Sequence, residues 1–385
     1  MMMCLPVLVL VDTPNNRGTV SSPDKKFDGE RSSCATMKNA DIALLLFGCC
    51  ILSWCEHCSG KPGKFPGLCI SRGGSSSASS SKSASPPDDG YGRISDDEFR
   101  LTPEQIEAFH RDGCVTIPNV LRDDEVEELA NVFDMFVAGE ITVPGKDFCD
   151  MSKPFGIPYE QWSLVNCMLP TRYYPPLRGN IYERLTASMA RQLFPENEKN
   201  NTGMTKDYDQ LLNKRPGKSD AVFSWHQDMG YWPGSKVLNV DCTDTCTFSL
   251  AIDDSTPENG CLRYVVGSGV EKVLRPHRPM AGDSREDGHA LVTDVDEETD
   301  EIRLAPAARG SVTIHDEYVV HGSSGNDSAD KQRRTYVLAY RAANIVEAER
   351  KLGFTHSHND DINWDTFDDG ESHRVASQTK RDNEE

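Results

Sequence analysis

Apolar residues between positions 100 and 195 recur every three or four residues, the spacing of helices that bury one face. The sequence Thr102-Pro103-Glu104-Gln105 has the spacing of a capping box with proline in the first turn, and it predicts a helix from residue 103 to about 110. A strand at 114–117 and two further helices, starting near 123 and near 177, are predicted to follow. Their apolar stripes are Val126, Leu129, Val132, Phe133 and Phe136 in the first, and Ile181, Leu185, Met189 and Leu193 in the second.

From residue 206 onward, apolar and polar residues alternate, which is the period of half-buried strands. Turn-forming residues, such as those at 256–260 and 322–326, divide this region into short segments. Many short strands after a helical lead-in predict a mainly β protein with flanking helices, folded as a jelly-roll barrel with the helices against one face. The predicted strands are 208–213, 221–225, 245–252, 261–266, 290–293, 301–304, 311–314 and 334–341.

The N-terminal part of the chain differs in composition from the rest. Residues 73–89 are dominated by serine, glycine and proline, as in flexible linkers. Ahead of them, the apolar run 42–54 is too short for a stable membrane span but has the length of a signal-peptide core. That interpretation requires translation to start at Met37, and Asp41 and the missing basic cluster count against it. A cytoplasmic or organellar location is therefore favoured over secretion.

These patterns divide the chain into three predicted parts. Residues 1–98 form a disordered N-terminal extension, residues 99–345 the jelly-roll domain, and residues 346–385 an acidic C-terminal tail. His356 and His358 fall in this tail and are given no specific role.

The net charge of −20, from 61 acidic and 41 basic residues, disfavours phosphate backbones and anionic membranes as partners. A small molecule is the expected substrate, and no feature of the sequence specifies an oligomeric state. Thirteen cysteines are scattered without the pattern of a disulfide framework. The basic run 214–218 is interpreted as a solvated loop, and His277 as a solvent-exposed loop histidine.

A candidate metal site begins at the end of the strand predicted at 221–225. Residues two apart on an extended segment point the same way, so His226 and Asp228 can converge on one point. His321 follows the strand at 311–314 and provides a third ligand that is distant in sequence. Two histidines and one carboxylate on one face leave three positions of an octahedron open, as in iron(II) oxygenases. Those positions suit a bidentate 2-oxo acid and O2.

The far carboxylate of such an acid needs a buried cation. Arg333 and Arg334 open the last predicted strand, and arginine binds a carboxylate with two parallel hydrogen bonds. Because neighbouring residues on a strand face opposite ways, only one of the two points inward. Ser323 provides a hydroxyl for the same carboxylate.

Residues from about 99 to 345 resemble the phytanoyl-CoA dioxygenase family of iron(II)/2-oxoglutarate oxygenases. The resemblance rests on motifs that occur here in the family's order and spacing. They are Leu101-Thr102-Pro103-Glu104-Gln105, Asp112-Gly113-Cys114-Val115-Thr116-Ile117, His226-Gln227-Asp228, Glu258-Asn259-Gly260-Cys261-Leu262-Arg263, and His321-Gly322-Ser323 before an arginine-led strand.

The resemblance implies a double-stranded β-helix, iron(II) bound by His226, Asp228 and His321, and 2-oxoglutarate as co-substrate. It favours Arg333 over Arg334 for binding 2-oxoglutarate, and Gln210 and Ser323 match further positions at that site. The implied reaction uses O2 to hydroxylate an unactivated C–H bond of a small organic substrate, with succinate and carbon dioxide as co-products. Related halogenases have a small residue where Asp228 stands, so the carboxylate favours hydroxylation.

Two other classes of function remain open from the sequence. One is a catalytically silent jelly-roll barrel that acts as a binding module. The other is a cupin-like metalloprotein with a different metal, although such proteins usually use more histidines and need no buried arginine. A serine hydrolase is disfavoured because the chain has no G-x-S-x-G motif.

Overall fold

The structure is a computed structural model that describes residues 90–240, 243–280 and 288–360. The apolar run 42–54, the serine-rich stretch 73–89 and the acidic end of the chain after residue 360 lie outside the described residues. In the described part of the chain, no helix has the length and apolar character needed to cross a membrane.

Strands and helices both occur along the described residues, and the first five α-helices all precede the long strand Met204–Lys214. The α-helices are α1 Pro103–Asp112, α2 Asp123–Val137, α3 Pro170–Tyr173, α4 Ile181–Leu193, α5 Pro195–Lys199, α6 Ser235–Leu238 and α7 Ala343–Lys351. The strands are β1 Gly92–Arg93, β2 Phe99–Arg100, β3 Cys114–Ile117, β4 Phe148–Asp150, β5 Leu164–Met168, β6 Met204–Lys214, β7 Phe223–His226, β8 Thr245–Ala251, β9 Leu262–Val265, β10 Arg278–Pro279, β11 Leu291–Val292, β12 Ile302–Ala305, β13 Val312–His315, β14 His321–Ser323 and β15 Arg333–Ala342.

Hydrogen bonds with capping side chains determine where helices α1 and α4 begin. The Thr102 hydroxyl accepts a hydrogen bond from the Gln105 backbone at 3.2 Å, and the Gln105 side chain accepts one from the Thr102 backbone at 2.9 Å. This capping box starts α1 where the sequence predicts it. The helix predicted near 177 begins later, at Ile181, because the Asn180 side chain caps it by accepting from the Glu183 backbone at 3.0 Å.

Two antiparallel sheets form the barrel. The large sheet has the order β3-β13-β8-β15-β6-β5-β4, and the small sheet has the order β12-β9-β14-β7. The order is not sequential, so strands distant in the chain lie side by side, as in a jelly roll. The topology confirms the predicted fold class.

The two faces of the large sheet have different environments. Phe248 on β8 and Leu338 on β15 pack with the helices around Phe133 and Leu185 in one apolar core. Residues of the opposite parity on the same strands face the barrel interior. The alternation in the sequence therefore separates a face that packs against the helices from a face that lines the barrel interior. Strand β5 was not predicted because all of its residues are buried, which removes the alternation.

Both predicted ends of the domain need correction. At the N-terminal side, β1 pairs with β2, and Arg93 binds Glu125 at 2.6 Å, so structure begins before residue 99. At the C-terminal side, α7 extends past residue 345, and Phe354 is 2% exposed. Residues 346–360 are therefore packed against the barrel and are not part of a loose tail.

A pair of substitutions tests the packing of this C-terminal part. Phe354→Ala should lower the free energy of unfolding by about 3–5 kcal/mol, because it leaves a cavity in a buried cluster. Leu352→Ala is the control, since Leu352 is 43% exposed and its loss should change stability by no more than about 0.5 kcal/mol. Urea denaturation measures both. Equal, small effects would show that the segment does not pack as described.

Candidate active site

The register of β7 against β14 brings the two candidate histidines together. His226 ends β7, His321 begins β14, and the two residues are direct cross-strand partners. Their ring centroids lie 4.2 Å apart. Asp228 follows in a 3-10 turn, and its Oδ1 lies 3.5 Å from Nε2 of His226 and 3.6 Å from Nε2 of His321. All three side chains are buried, and their candidate ligand atoms lie within 4.8 Å of one another. The structure thus brings the predicted triad to one point.

Backbone carbonyls orient both imidazoles. Nδ1 of His226 lies 2.7 Å from the carbonyl of Ser224, and Nδ1 of His321 lies 3.0 Å from that of Val319. A carbonyl can only accept, so both Nδ1 atoms donate, and the Nε2 lone pairs face Asp228. Burial, together with the adjacent histidines, holds the pKa of His321 well below its usual value, so this imidazole stays neutral.

The carboxylate of Asp228 is ionised and oriented. Its Oδ2 accepts a hydrogen bond from Oγ1 of Thr247 at 2.8 Å, and Nε2 of His315 lies 3.3 Å away. Burial alone would raise the pKa of Asp228, but hydrogen bonding, including the bond from His315, holds it well below its usual value. Three electron-pair donors that face one another at this distance repel unless a cation lies between them. The donor set, two imidazoles and one carboxylate, fits iron(II) with open coordination positions.

A second buried group of possible ligands has a different explanation. Asp207, Glu349 and His356 also cluster. Arg341 binds Glu349 and lies 3.6 Å from Asp207, and Arg350 binds Asp207 at 2.5 Å. Because two guanidinium groups already neutralise these carboxylates, the cluster is a buried ion-pair network and not a metal site.

Gln227, between the two ligand candidates, fixes the backbone of the turn. Its Nε2 donates to the carbonyls of Tyr318 at 2.6 Å and Val273 at 2.9 Å, and its Oε1 accepts from the Arg275 backbone at 2.7 Å. Its backbone N–H donates to Nε2 of His277 at 3.0 Å. The prediction that His277 is exposed was wrong, since it is 2% exposed. Its loop sequence carries no periodic signal that would show this burial.

We define the inner cavity as the space between the sheets that Arg333, Ser323, Gln210, Thr335, Val337, Lys214, His226, Asp228 and His321 help to line. Arg333 is buried there, and its Nε donates to Oγ of Ser255 at 3.0 Å. Among the described residues, no carboxylate lies within ion-pair distance of its guanidinium. Burial lowers the pKa of Arg333 to about 10, so the group still carries its charge at neutral pH. Because buried charges are normally paired, a buried and charged guanidinium without a counter-ion indicates an anion-binding site.

Arg334 faces the opposite side of β15. Its guanidinium donates to Asp253 at 2.8 Å and to Asp134 on α2 at 2.9 Å. The strand parity thus resolves the alternative that the sequence left open. Arg333 points into the barrel, and Arg334 links the large sheet to α2 through its hydrogen bonds to Asp134.

Lys214 is a site residue that the sequence interpretation missed. It ends β6, is 1% exposed, and its Nζ donates to the carbonyls of Ala221 at 2.6 Å, Ser323 at 3.3 Å and Ser324. The proposed solvated loop is therefore wrong at this residue. Lys214 shares its strand parity with Gln210, and extending the predicted strand by one residue would have placed it inside. Burial, with the nearby charge of Arg333, holds its pKa well below the usual value.

We define the outer cavity as the space of about 330 Å³ on the other side of the triad. It shares His226, Asp228, Gln210, Tyr208 and Phe223 with the inner cavity, so two members of the triad line both cavities, while His321 lines the inner one. Its walls are largely aromatic, with charged groups among them. The other wall residues are Phe155, Tyr231, Trp232, His289, Lys146, Met151, Met168 and five residues of the C-terminal segment.

We define the C-terminal segment as residues 354–360, of which Phe354, His356, Ser357, His358 and Asp360 line the outer cavity. Two distant carboxylates hold this segment in place. Asp147 accepts hydrogen bonds from Oγ of Ser357 at 2.7 Å and the backbone of His358 at 2.6 Å. Asp207 lies 2.7 Å from Nε2 of His356. The prediction that His356 and His358 belong to a tail without a specific role was wrong.

Comparisons with known proteins identify the family of this chain. The model of the family described as Phytanoyl-CoA dioxygenase (PhyH) matches residues 109–335. The chain is 24% identical over 257 residues to ectoine dioxygenase of Halomonas elongata. The aligned region covers 63% of this chain and 71% of that protein. It is 30% identical over 177 residues to a probable alpha-ketoglutarate-dependent hypophosphite dioxygenase of Stutzerimonas stutzeri, covering 45% of this chain and 56% of that protein.

A solved structure is similar to this protein in fold as well as in sequence. EvdO2 from Micromonospora carbonacea var. aurantiaca is 26% identical, with a TM-score of 0.50, over 63% of this chain and 91% of its own. The chain belongs to the phytanoyl-CoA dioxygenase family, as its motifs predicted. It is a 2-oxoglutarate-dependent dioxygenase that uses iron(II) and O2.

The two arginines of β15 should affect stability in opposite directions. Arg333→Met should raise the free energy of unfolding by about 1–3 kcal/mol in the absence of ligand, because it removes a buried charge without a counter-ion. Arg334→Met, the matched control, should lower it by about 1.5–3 kcal/mol, since Asp253 and Asp134 lose their hydrogen bonds. Urea unfolding of the metal-free protein measures both. The reverse order would show that Arg333 is a structural residue.

Proposed function

We propose that this enzyme binds iron(II) through His226, Asp228 and His321 and hydroxylates a C–H bond of a small organic substrate. The observation that carries the proposal is the convergence of these three side chains where the inner and outer cavities meet. A metal held there is reachable from both sides. Two imidazoles and one carboxylate leave the coordination positions that a 2-oxo acid and O2 require.

The inner cavity is the proposed site of 2-oxoglutarate. The guanidinium of Arg333 has the planar donor geometry that binds a carboxylate in bidentate fashion, and it lacks another anionic partner among the described residues. Ser323 and Gln210 line the same cavity and supply polar groups beside the co-substrate. Lys214 also lines this cavity, and its amino group donates hydrogen bonds to backbone carbonyls.

The outer cavity is the proposed substrate site. Its volume, about 330 Å³, is at the lower end of the range for small-molecule pockets. Aromatic walls favour an apolar face on the substrate, while Lys146 and Asp360 provide one charged group of each sign. These features support a compact polar organic molecule, a class that includes the substrate named for the ectoine dioxygenases.

Different residues of the chain have different roles in the proposed reaction. The bound metal, with 2-oxoglutarate and O2, supplies the oxidising power that breaks the C–H bond. Arg333 orients the co-substrate, the aromatic walls exclude water, and the triad fixes the metal at the boundary of the two cavities. A carboxylate at position 228 occupies the coordination position that a halide would need, which supports hydroxylation.

Anaerobic titration of the full chain with iron(II) and 2-oxoglutarate tests this proposal. We expect a visible charge-transfer band near about 500 nm, because a 2-oxo acid that chelates iron(II) absorbs there. The band should be lost in His226→Ala. In Arg333→Ala it should appear only at much higher 2-oxoglutarate concentrations, since the far carboxylate loses its partner. Arg334→Ala is the matched control, and its band should be unchanged.

Turnover separates the enzyme from a silent binding module. The wild-type protein should convert 2-oxoglutarate to succinate in air when iron(II) is present, and screening of compact polar compounds should identify those that stimulate the conversion. A folded protein that gives neither the band nor succinate would contradict the proposal and favour the silent barrel. Turnover with another metal in place of iron would favour the cupin-like alternative.

A further inference from the structure

A third buried histidine lies beside the triad. His315 ends β13 and is 3% exposed. Its Nε2 lies 3.3 Å from Oδ2 of Asp228, and its ring centroid lies 4.0 Å from that of His321. No local sequence pattern marks His315, because its partner, Asp228, is 87 residues away.

Only one of the two ring nitrogens of His315 has a hydrogen-bond partner among the described residues. An ionised carboxylate can only accept, so Nε2 of His315 carries the proton and donates to Asp228. Nδ1 of His315 is buried and has no hydrogen-bond partner among the described residues. A buried polar atom without a partner costs stability, and an apolar side chain would avoid that cost. Packing therefore does not explain a histidine at this position.

We propose that His315 is a positioning residue for the metal-binding carboxylate. Together with Oγ1 of Thr247, it binds Oδ2 of Asp228 and restricts rotation of the carboxylate. Oδ1 alone then faces Nε2 of His226 and of His321. This role rests on the proposed iron site. It keeps the carboxylate monodentate and so leaves the open positions free for the co-substrate.

Loss of this hydrogen bond should weaken iron binding. Without His315, the carboxylate can rotate and present both oxygens to the metal, or turn away from it. Partners that orient a metal ligand typically contribute about 10- to 100-fold to metal affinity. His315→Leu should weaken iron(II) binding by that factor. Its unfolding midpoint should be unchanged or higher, because leucine leaves no unpartnered nitrogen.

Anaerobic calorimetric titration of the full chain with iron(II) alone measures the effect. His315→Gln should recover most of the affinity, since its amide N–H can donate to Oδ2 of Asp228. Thr247→Val removes the other donor and should also weaken binding. Thr313→Val is the matched control, because Thr313 lies on the same strand and its hydroxyl contacts Thr116 at 3.3 Å, not the triad.

The Asp228→Ala background distinguishes positioning from packing. If His315 acts through Asp228, His315→Leu should cause no further loss of iron affinity in a protein that lacks the carboxylate. An equal loss in both backgrounds would show that His315 acts by packing on His321, and would overturn the proposal. Iron binding by His315→Leu at wild-type affinity would overturn it as well. A folded wild-type protein that binds no iron(II) would instead refute the proposed function, and this role with it.

Discussion

The pairing of His226 opposite His321 across β7 and β14 is the constraint on which the rest of the site depends. Side chains alternate along a strand, so a slip of one residue in this register would turn one imidazole away from the other. Asp228 adds its carboxylate only because Gln227 ties the turn after β7 to two other loops. The hydrogen bonds of the sheet therefore determine that these two candidate ligand side chains lie together.

Charge is distributed unevenly about this pairing. The carboxylate of Asp228 lies at the centre, and the buried guanidinium of Arg333 lies in the inner cavity, which Lys214 also lines. Neither basic side chain has a carboxylate partner among the described residues, although the protein as a whole carries a net charge of −20. Although the chain as a whole is acidic, the inner cavity provides a local positive potential for an anionic co-substrate through Arg333.

Much of this arrangement follows from the sequence, and the missing parts have physical reasons. Alternation predicted most strands of the barrel, and the spacing of His226 and Asp228 predicted their convergence. Strand β5 gave no alternation because it is buried on both faces. The role of His277 depends on a contact across 50 residues, with no local pattern to reveal it. Spacing alone left Arg333 and Arg334 as alternatives, because strand parity is known only once the register is known.

The C-terminal segment lines the outer cavity although it lies beyond the residues that the family model matches. The family match ends at residue 335, yet residues 354–360 form one wall of the outer cavity. This wall is held by Asp147 and Asp207 through contacts that do not involve the triad. Substitutions in the segment can reshape the space above the metal without disturbing the residues that converge on it. A short stretch that follows the barrel in the chain thus shapes the proposed substrate cavity separately from the residues that would hold the metal.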